Sequence, residues 1–170
     1  MDHIWTPWRF QYLKSTPQEP DCIFCHLSTQ KNVREHLILI RDRHNFIVLN
    51  RFPYTNGHLM IVTHRHVASL VDAQPEELTE MILLSRRCES ILQSVYQPNG
   101  YNIGFNIGKS AGAGVAGHLH LHVVPRWEGD ANFVSVVGET RVIPEDLETT
   151  YEKLAAHFAA ETTTGNHPKR

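Results

Sequence analysis

Three histidines that alternate with apolar residues constrain this chain more than any other feature of its sequence. They stand in the run His118-Leu119-His120-Leu121-His122, which continues into two valines. Strict alternation over this length predicts a β-strand in which successive side chains point to opposite faces. The histidines therefore share one face, with neighbours roughly 7 Å apart along the strand. Three imidazoles on one face require hydrogen bonds, a metal ion or a polar cleft.

A glycine-rich segment leads directly into this strand. Glycine recurs four times in residues 106–117, and Lys109 and Ser110 add a charge and a hydroxyl group. Glycine lets backbone N–H groups approach an anion closely and form a concave nest. Such a loop alone is also typical of a flexible connection. Followed by alternating histidines, it favours a phosphate group held against a histidine nucleophile.

The remaining pattern predicts an α+β fold. Strands are expected at 37–40, 46–49, 58–62 and 101–106, before the histidine strand, and short links between the first three imply antiparallel neighbours. Asn56-Gly57 is a strong hairpin signal. One long helix is expected over 73–96 and a second over 144–161, because apolar residues recur there at helical spacing. The core stripe predicted for the long helix is Leu78, Met81, Ile82, Ser85, Cys88, Leu92 and Val95.

Composition excludes several classes of protein. The chain has 170 residues, 41% of them hydrophobic, which fits one globular domain with appended termini. A net charge of −2 gives no basic field for long nucleic acid. No apolar run approaches the ~20 residues of a membrane span. The N-terminus does not resemble a signal peptide, so a cytoplasmic location is expected.

Two cysteines form the motif Cys22-x-x-Cys25, followed by His26. This pattern is typical of covalent haem attachment, of a redox pair or of half a zinc site. Haem attachment requires export, and a redox pair requires a βαβ context that the following sequence does not supply. Two buried free thiols are the remaining alternative.

The histidine strand and the segment 49–62 resemble the histidine triad superfamily. The order Asn50, Gly57-His58, glycine loop and triad carries the resemblance, which covers roughly residues 35–137. It is closest to the fragile-histidine-triad and bacterial dinucleoside polyphosphate phosphorylase branch, because the run from Pro125 to Phe133 follows the triad. The resemblance implies a HIT-like fold with a five-stranded antiparallel sheet, one long helix and a C-terminal helix. It also implies a homodimer.

The resemblance assigns roles to individual residues. The implied catalytic residues are His120, as nucleophile, with His122 and His58. The implied nucleotide-binding residues are Asn50 at the ribose, Asn106, Gly112, Gly114 and Trp127. The implied ligands of a structural Zn²⁺ are Cys22, Cys25, His66 and His118. His64, by contrast, is expected to be exposed to solvent, and Asn50 can equally cap a turn.

The function implied is nucleotidyl transfer through a covalent histidine adduct. The first hypothesis is a hydrolase of dinucleoside polyphosphates or related conjugates, with an adenine-containing substrate that Mg²⁺ can accompany. The second is a phosphorylase that uses phosphate as acceptor, and the third is a non-catalytic nucleotide-binding zinc protein. Ala113 and Gly114 stand where related enzymes carry a glutamine or a serine, which leaves the acceptor open.

Three regions are expected along the chain. Residues 1–20, which contain several aromatic residues, form an N-terminal arm that docks on the core or on a partner subunit. Residues 21–138 form the HIT domain, in which 133–138 form a further short strand or an arm. Residues 139–170 form a C-terminal helix and a polar tail.

Overall fold

Five strands form one antiparallel sheet in the protein, with helices packed on both of its faces. The computed structural model describes residues 22–131, 137–138 and 143–163. The elements in chain order are α1 (Ile23–Thr29), β1 (Ile38–Arg41), β2 (Asn45–Leu49), β3 (Leu59–Thr63), α2 (Pro75–Tyr96), β4 (Gly100–Phe105), a short 3₁₀ helix (Lys109–Ala111), β5 (His120–Arg126) and α3 (Leu147–Thr163). These elements confirm the predicted α+β fold with one long helix and a C-terminal helix.

The strand order places the histidines inside the sheet. The order is β1-β2-β3-β5-β4, so β5 lies between β3 and β4. His120 pairs with Val62 of β3, and His122 pairs with Met60 of β3 and Gly104 of β4. Both neighbours hold the backbone of β5, which fixes where the histidine side chains project.

The alternation of the histidine strand separates two hydrophobic clusters. Leu119, Leu121 and Val123 join the larger cluster, beneath α2 and α3. The opposite face carries the histidines and a smaller cluster centred on Phe24 of α1. The alternation continues back to His118, although β5 itself begins only at His120.

Helix α2 begins where the sequence predicts and buries most of the predicted stripe, with Leu78 and Val95 partly buried against the core. The Glu77 side chain accepts the backbone N–H of Gln74 at 2.7 Å and pairs with Arg65 at 2.8 Å, which fixes the first turn. The prediction for Ile82 was wrong, since its side chain is 58% exposed. Successive helical residues are about 100° apart, so the face that buries Met81 turns Ile82 away. The buried positions of α2 are Glu77, Met81, Leu84, Ser85, Cys88, Ile91 and Leu92.

Helix α3 packs into the same core as α2. Tyr151, Leu154 and Phe158 are buried in the larger cluster, as their helical spacing predicts. The Tyr151 hydroxyl donates to the carbonyl of Ile38 in β1, and Arg87 of α2 donates to the carbonyl of Phe158. These bonds join α3 to both the sheet and the long helix.

Parts of the predicted organisation fall outside the described residues. They are the N-terminal arm at 1–20, the segment 133–136 and the tail beyond residue 163. The division of the chain into arm, HIT domain and C-terminal region therefore stays a prediction. Within the described part of the chain, no helix combines the length and apolarity that crossing a bilayer requires.

Candidate functional site

His120 is held as a neutral imidazole with one free nitrogen lone pair. Its Nδ1–H donates to the backbone carbonyl of His118 at 2.7 Å, and its side chain is buried. A carbonyl only accepts, so the proton of the neutral ring lies on Nδ1 and the Nε2 lone pair is available. Burial lowers the pKa of His120, which keeps the ring neutral. This is the protonation state that a nucleophilic histidine needs.

A chain of hydrogen bonds fixes the proton of His122 on the opposite nitrogen. The backbone N–H of Tyr54 donates to Nδ1 of His58 at 3.1 Å, so His58 carries its proton on Nε2. That Nε2–H lies 3.0 Å from Nδ1 of His122 and donates to it. Neutral His122 therefore carries its proton on Nε2. Burial lowers the pKa of His122 to about 4, with a further contribution from His120.

The rings of this group lie against one another. The His120 and His122 ring centroids are 4.9 Å apart, and those of His58 and His122 are 5.1 Å apart. The Tyr54 ring stacks over His122 at 6.2 Å and lies 4.6 Å from His58. The structure thus places all three predicted catalytic histidines in one cluster. Their catalytic roles stay predictions.

Asn50 borders this histidine cluster, and Asn106 follows the strand next to β5. The Asn50 amide oxygen accepts the N–H of Phe52 at 3.0 Å, which is the turn-capping contact expected as an alternative. Its amide nitrogen lies 3.3 Å from Nδ1 of His58, so Asn50 also borders the cluster. Asn106 is the residue after Phe105, whose pairing with Leu121 is the last pair between β4 and β5 at this end of the sheet. A ribose or phosphate contact by either asparagine stays a prediction.

The glycine-rich loop is tightly folded. The N–H of Gly112 donates to the carbonyl of Lys109 at 3.0 Å, and the N–H of Ala113 donates to that of Gly108 at 3.4 Å. Gly112 has φ 87°, a conformation that favours glycine. The N–H of Gly112 is therefore engaged within the loop itself, and anion binding by Gly112 and Gly114 stays a prediction.

Trp127 lies away from the histidine cluster. It follows the end of β5, roughly 17 Å along the chain from His122 at the usual rise of a strand. Its indole N–H donates to the carbonyl of Tyr96, the last residue of α2, at 3.3 Å. This bond joins the residue after β5 to the C-terminal end of α2. Its predicted contact with a nucleotide stays untested.

The four predicted zinc ligands come together in space. One ligand atom from each of Cys22, Cys25, His66 and His118 lies within 4.8 Å of the other three. Cys22 Sγ is 3.3 Å from Nδ1 of His118, and Cys25 Sγ is 3.2 Å from Nδ1 of His66. Two thiols and two imidazoles are the donor set of a closed, tetrahedral zinc site.

The orientation of His118 fits a metal ligand. Its Nε2–H donates to the carbonyl of Thr63 at 2.8 Å, so the Nδ1 lone pair faces both cysteine sulfurs. Burial lowers the pKa of His118 to about 4, which keeps this lone pair available. A histidine ligand whose other nitrogen donates to a backbone carbonyl is the usual arrangement around zinc.

His64 differs from its prediction. It is half-buried rather than exposed to solvent, and both ring nitrogens are hydrogen-bonded. Its Nε2–H donates to the carbonyl of Asp42 at 3.1 Å, and its Nδ1 accepts from the Ser28 hydroxyl at 2.9 Å. The ring also stacks on Phe46 at 5.4 Å. The hydrogen bonds of His64 to Ser28 and Asp42 tie α1 to the sheet.

Sequence reasoning missed two residues at this site. Phe24, between the two cysteines, places its ring 5.0 Å from His120 and 5.5 Å from His118. Tyr54 sets the proton of His58 through a backbone N–H. A backbone N–H donor cannot be recognised from the type of residue that carries it. A single phenylalanine is usually interpreted as a residue of the hydrophobic core. Only the spacing Cys-x-Phe-Cys, which must set Phe24 beside any metal bound there, could have indicated its place.

Comparisons with known proteins agree with this geometry. Residues 31–129 match the HIT domain family model. The chain is 38% identical over 167 residues to an AP-4-A phosphorylase of Mycobacterium tuberculosis, covering 94% of this chain and 85% of the relative. It is 28% identical over 121 residues to an asymmetrical bis(5'-nucleosyl)-tetraphosphatase of Schizosaccharomyces pombe, covering 71% of this chain and 63% of that protein.

Solved structures give the same result. The crystal structure of a zinc-bound histidine triad family protein from Mycobacterium smegmatis superposes with a TM-score of 0.69 at 28% identity, covering 85% of this chain and 97% of that one. The histidine alternation, the fold around it and these matches lead to one conclusion. The chain belongs to the HIT domain, or histidine triad, family.

Proposed function

We propose that this protein is a HIT-family enzyme that processes dinucleoside polyphosphates through a nucleotidyl–His120 intermediate. The observation that carries the proposal is the 2.7 Å bond from His120 Nδ1–H to the His118 carbonyl, which leaves the Nε2 lone pair free. The names of the Mycobacterium tuberculosis and Schizosaccharomyces pombe relatives support the substrate class.

In the first step, Nε2 of His120 attacks the α-phosphorus of the substrate. A P–N bond forms, the bond from phosphorus to the bridging oxygen breaks, and the remaining polyphosphate leaves with that electron pair. Nδ1–H stays on the His118 carbonyl, which stabilises the positive charge that the ring acquires.

In the second step, an acceptor releases the nucleotide. The oxygen of water or of inorganic phosphate bonds to the α-phosphorus, the P–N bond breaks, and its electron pair returns to Nε2. The acceptor's proton passes to solvent. Water gives a nucleoside monophosphate, which makes the enzyme a hydrolase; phosphate gives a diphosphate, which makes it a phosphorylase.

His122 acts in this scheme as a hydrogen-bond donor to a phosphoryl oxygen. Its Nδ1 is occupied by His58, so the group it offers is a neutral Nε2–H. A neutral imidazole is a poor source of a proton. The leaving group must therefore depart as a stable anion, as a polyphosphate does.

Other parts of the site have supporting roles. We propose that Cys22, Cys25, His66 and His118 hold a structural Zn²⁺, which when bound ties α1 to the start of β5. Asn50 and Asn106 are the proposed contacts to the nucleotide, with Gly112, Gly114 and Trp127 as predicted further contacts. Mg²⁺, where present, accompanies the polyphosphate and needs no ligand from the chain.

We also propose a homodimer and a cytoplasmic location. Strand β4 lies at an edge of the sheet, and Asn102, Ile103 and Gly104 are exposed there. The other edge strand, β1, is partly covered, since the N–H of Ile38 donates to Val33 and its carbonyl accepts from Tyr151. An exposed edge favours pairing with a second copy. Free thiols as metal ligands fit a reducing compartment.

Product analysis tests this function directly. The zinc-loaded protein is incubated with diadenosine tetraphosphate, with and without inorganic phosphate, and the products are identified by mass. AMP with ATP in both conditions indicates a hydrolase, and ADP with ATP only when phosphate is present indicates a phosphorylase. No product in either condition, together with tight nucleotide binding, would contradict the proposal and favour a non-catalytic nucleotide-binding protein.

A further inference from the structure

The metal cluster is the group of four predicted zinc ligands, Cys22, Cys25, His66 and His118. One of them, His118, also contacts the nucleophile His120. His118 offers its side chain to the cysteines through Nδ1 and its backbone carbonyl to His120 at 2.7 Å. The carbonyl that holds the His120 proton therefore belongs to a residue whose ring lies in the cluster. Any change in the backbone at position 118 moves the acceptor on which the orientation of His120 depends.

Helix α1 makes a second connection between the two sites. Cys22 and Cys25 lie on either side of Phe24, whose side chain is 4% exposed. The Phe24 ring contacts the His120 ring at 5.0 Å and the His118 ring at 5.5 Å. Val115, from the segment that leads into β5, packs against the same cluster. The phenylalanine thus forms a wall of the space that the nucleophile occupies.

The two ends of α1 are held differently. Arg41 donates to the carbonyls of Leu27, Ser28 and Gln30 at 2.6–2.9 Å, and the Ser28 hydroxyl bonds His64. These contacts secure the C-terminal end of α1 whether or not a metal is present. The N-terminal end is held by the packing of Phe24 in the smaller hydrophobic cluster and, when a metal is bound, by the two cysteines. Metal ligation thus acts on the half of α1 that touches His120.

We propose that Phe24 is a positioning residue for His120. Through α1, the orientation of the His120 ring then depends on whether the four residues of the metal cluster ligate a metal. The proposal rests on the proposed function in that His120 is the reacting group. With the cysteines and both histidines ligating, Phe24 and the His118 carbonyl hold the His120 ring in one orientation. Without ligation, the N-terminal turn of α1 keeps the packing of Phe24 but loses the tie through the cysteines, and the orientation of His120 is less restricted.

Two variants separate this role from general packing. Phe24→Leu removes the ring beside His120 and keeps all four ligands. Phe46→Leu is the matched control, because Phe46 is buried in the same hydrophobic cluster but its ring contacts His64. We expect Phe24→Leu to lower kcat by about 10- to 100-fold, since small misplacements of a reacting group cost this much. Its KM and bound zinc should change little, and Phe46→Leu should keep the kcat of the parent protein.

Spectroscopy gives a readout that requires no turnover. Long-range ¹H–¹⁵N correlation spectra report which nitrogen of each histidine carries its proton. We expect the zinc-loaded protein to show a single Nδ1–H form of His120. Removal of zinc, or Phe24→Leu with zinc bound, should broaden or split these signals, while those of His157 on α3 stay unchanged.

Each outcome decides the proposal. His120 signals that are the same with and without zinc would overturn it, as would equal losses of kcat in Phe24→Leu and Phe46→Leu. If the zinc-loaded parent protein processes no dinucleoside polyphosphate while its His120 signals respond to zinc, the proposed function fails and the coupling stands.

Discussion

At the scale of single residues, backbone groups decide the chemistry of three histidines. The His118 carbonyl holds the proton of His120 on Nδ1, and the Tyr54 N–H places that of His58 on Nε2. His58 in turn leaves His122 with its proton on Nε2. Because these donors and acceptors have fixed roles, each neutral ring has one tautomer. One ring can attack and its neighbour can donate, although the residues are chemically identical.

Burial of His122 predicts how stability depends on pH. Its pKa is about 4 in the folded protein and about 6.5 in the unfolded chain, so between these values the unfolded state binds more protons. The free energy of unfolding should therefore fall as the pH is lowered from 6.5 towards 4. Urea titrations across this range measure the slope, and His122→Asn should make it shallower. An unchanged slope in the variant would show that other groups cause the loss.

At the scale of elements, a glycine allows the hairpin to close against the long helix. Gly57 has φ +71°, and a Cβ at this position would lie 2.8 Å from the Leu92 side chain of α2. The turn it ends carries Tyr54 and leads into His58, and the Thr55 hydroxyl bonds the carbonyl of Pro125. The packing of the hairpin on α2 and β5 thus sets the position of the Tyr54 N–H.

Gly57→Ala should destabilise the protein. The added methyl group meets Leu92 in a backbone conformation that disfavours side chains, and we expect a loss of about 1–3 kcal/mol in the free energy of unfolding. Gly100→Ala is the control, since an added Cβ there meets nothing within 4 Å. Chemical denaturation measures both. Equal effects of the two substitutions would contradict the close contact seen at Gly57.

The sequence was informative wherever a pattern repeats. Alternation predicted the face shared by His118, His120 and His122, and helical spacing placed α2 and α3. The ligand set and the partnership of His58 came from the family resemblance, because residues far apart in sequence show no spacing rule. The predictions of burial for Ile82 and of exposure for His64 were wrong for a physical reason. The exposure of each residue depends on the direction in which its side chain points among its packed neighbours.

At the scale of the whole molecule, the sheet separates the main hydrophobic core on one face from the candidate functional site on the other. The larger hydrophobic cluster under α2 and α3 holds β5 from one side. The histidines, the metal cluster and α1 occupy the other side, where the smaller cluster supports them. The exposed strand β4 forms one edge of this sheet, next to β5, so a partner that pairs there would extend the sheet beside the site.

The proposed dimer gives a test of this edge. Ile103 in β4 is 42% exposed, and we expect Ile103→Lys to shift the protein from dimer to monomer, because a buried unpaired charge weakens an interface. Val71→Lys is the control, since Val71 is 94% exposed in the segment before α2. Sedimentation velocity gives the oligomeric state. A parent protein that sediments as a monomer at all concentrations would contradict the dimer.

The proposed function depends on the nucleotidyl–His120 adduct, and trapping this adduct tests the function most directly. The protein is mixed with excess diadenosine tetraphosphate, quenched within the first turnover in alkaline denaturant that preserves a P–N bond, digested and mapped by mass. We expect an added AMP on the peptide that contains His120, and none in His120→Ala, which should also lose turnover by about 10⁴-fold or more. Rapid turnover with no modified peptide, or turnover that survives His120→Ala, would contradict it.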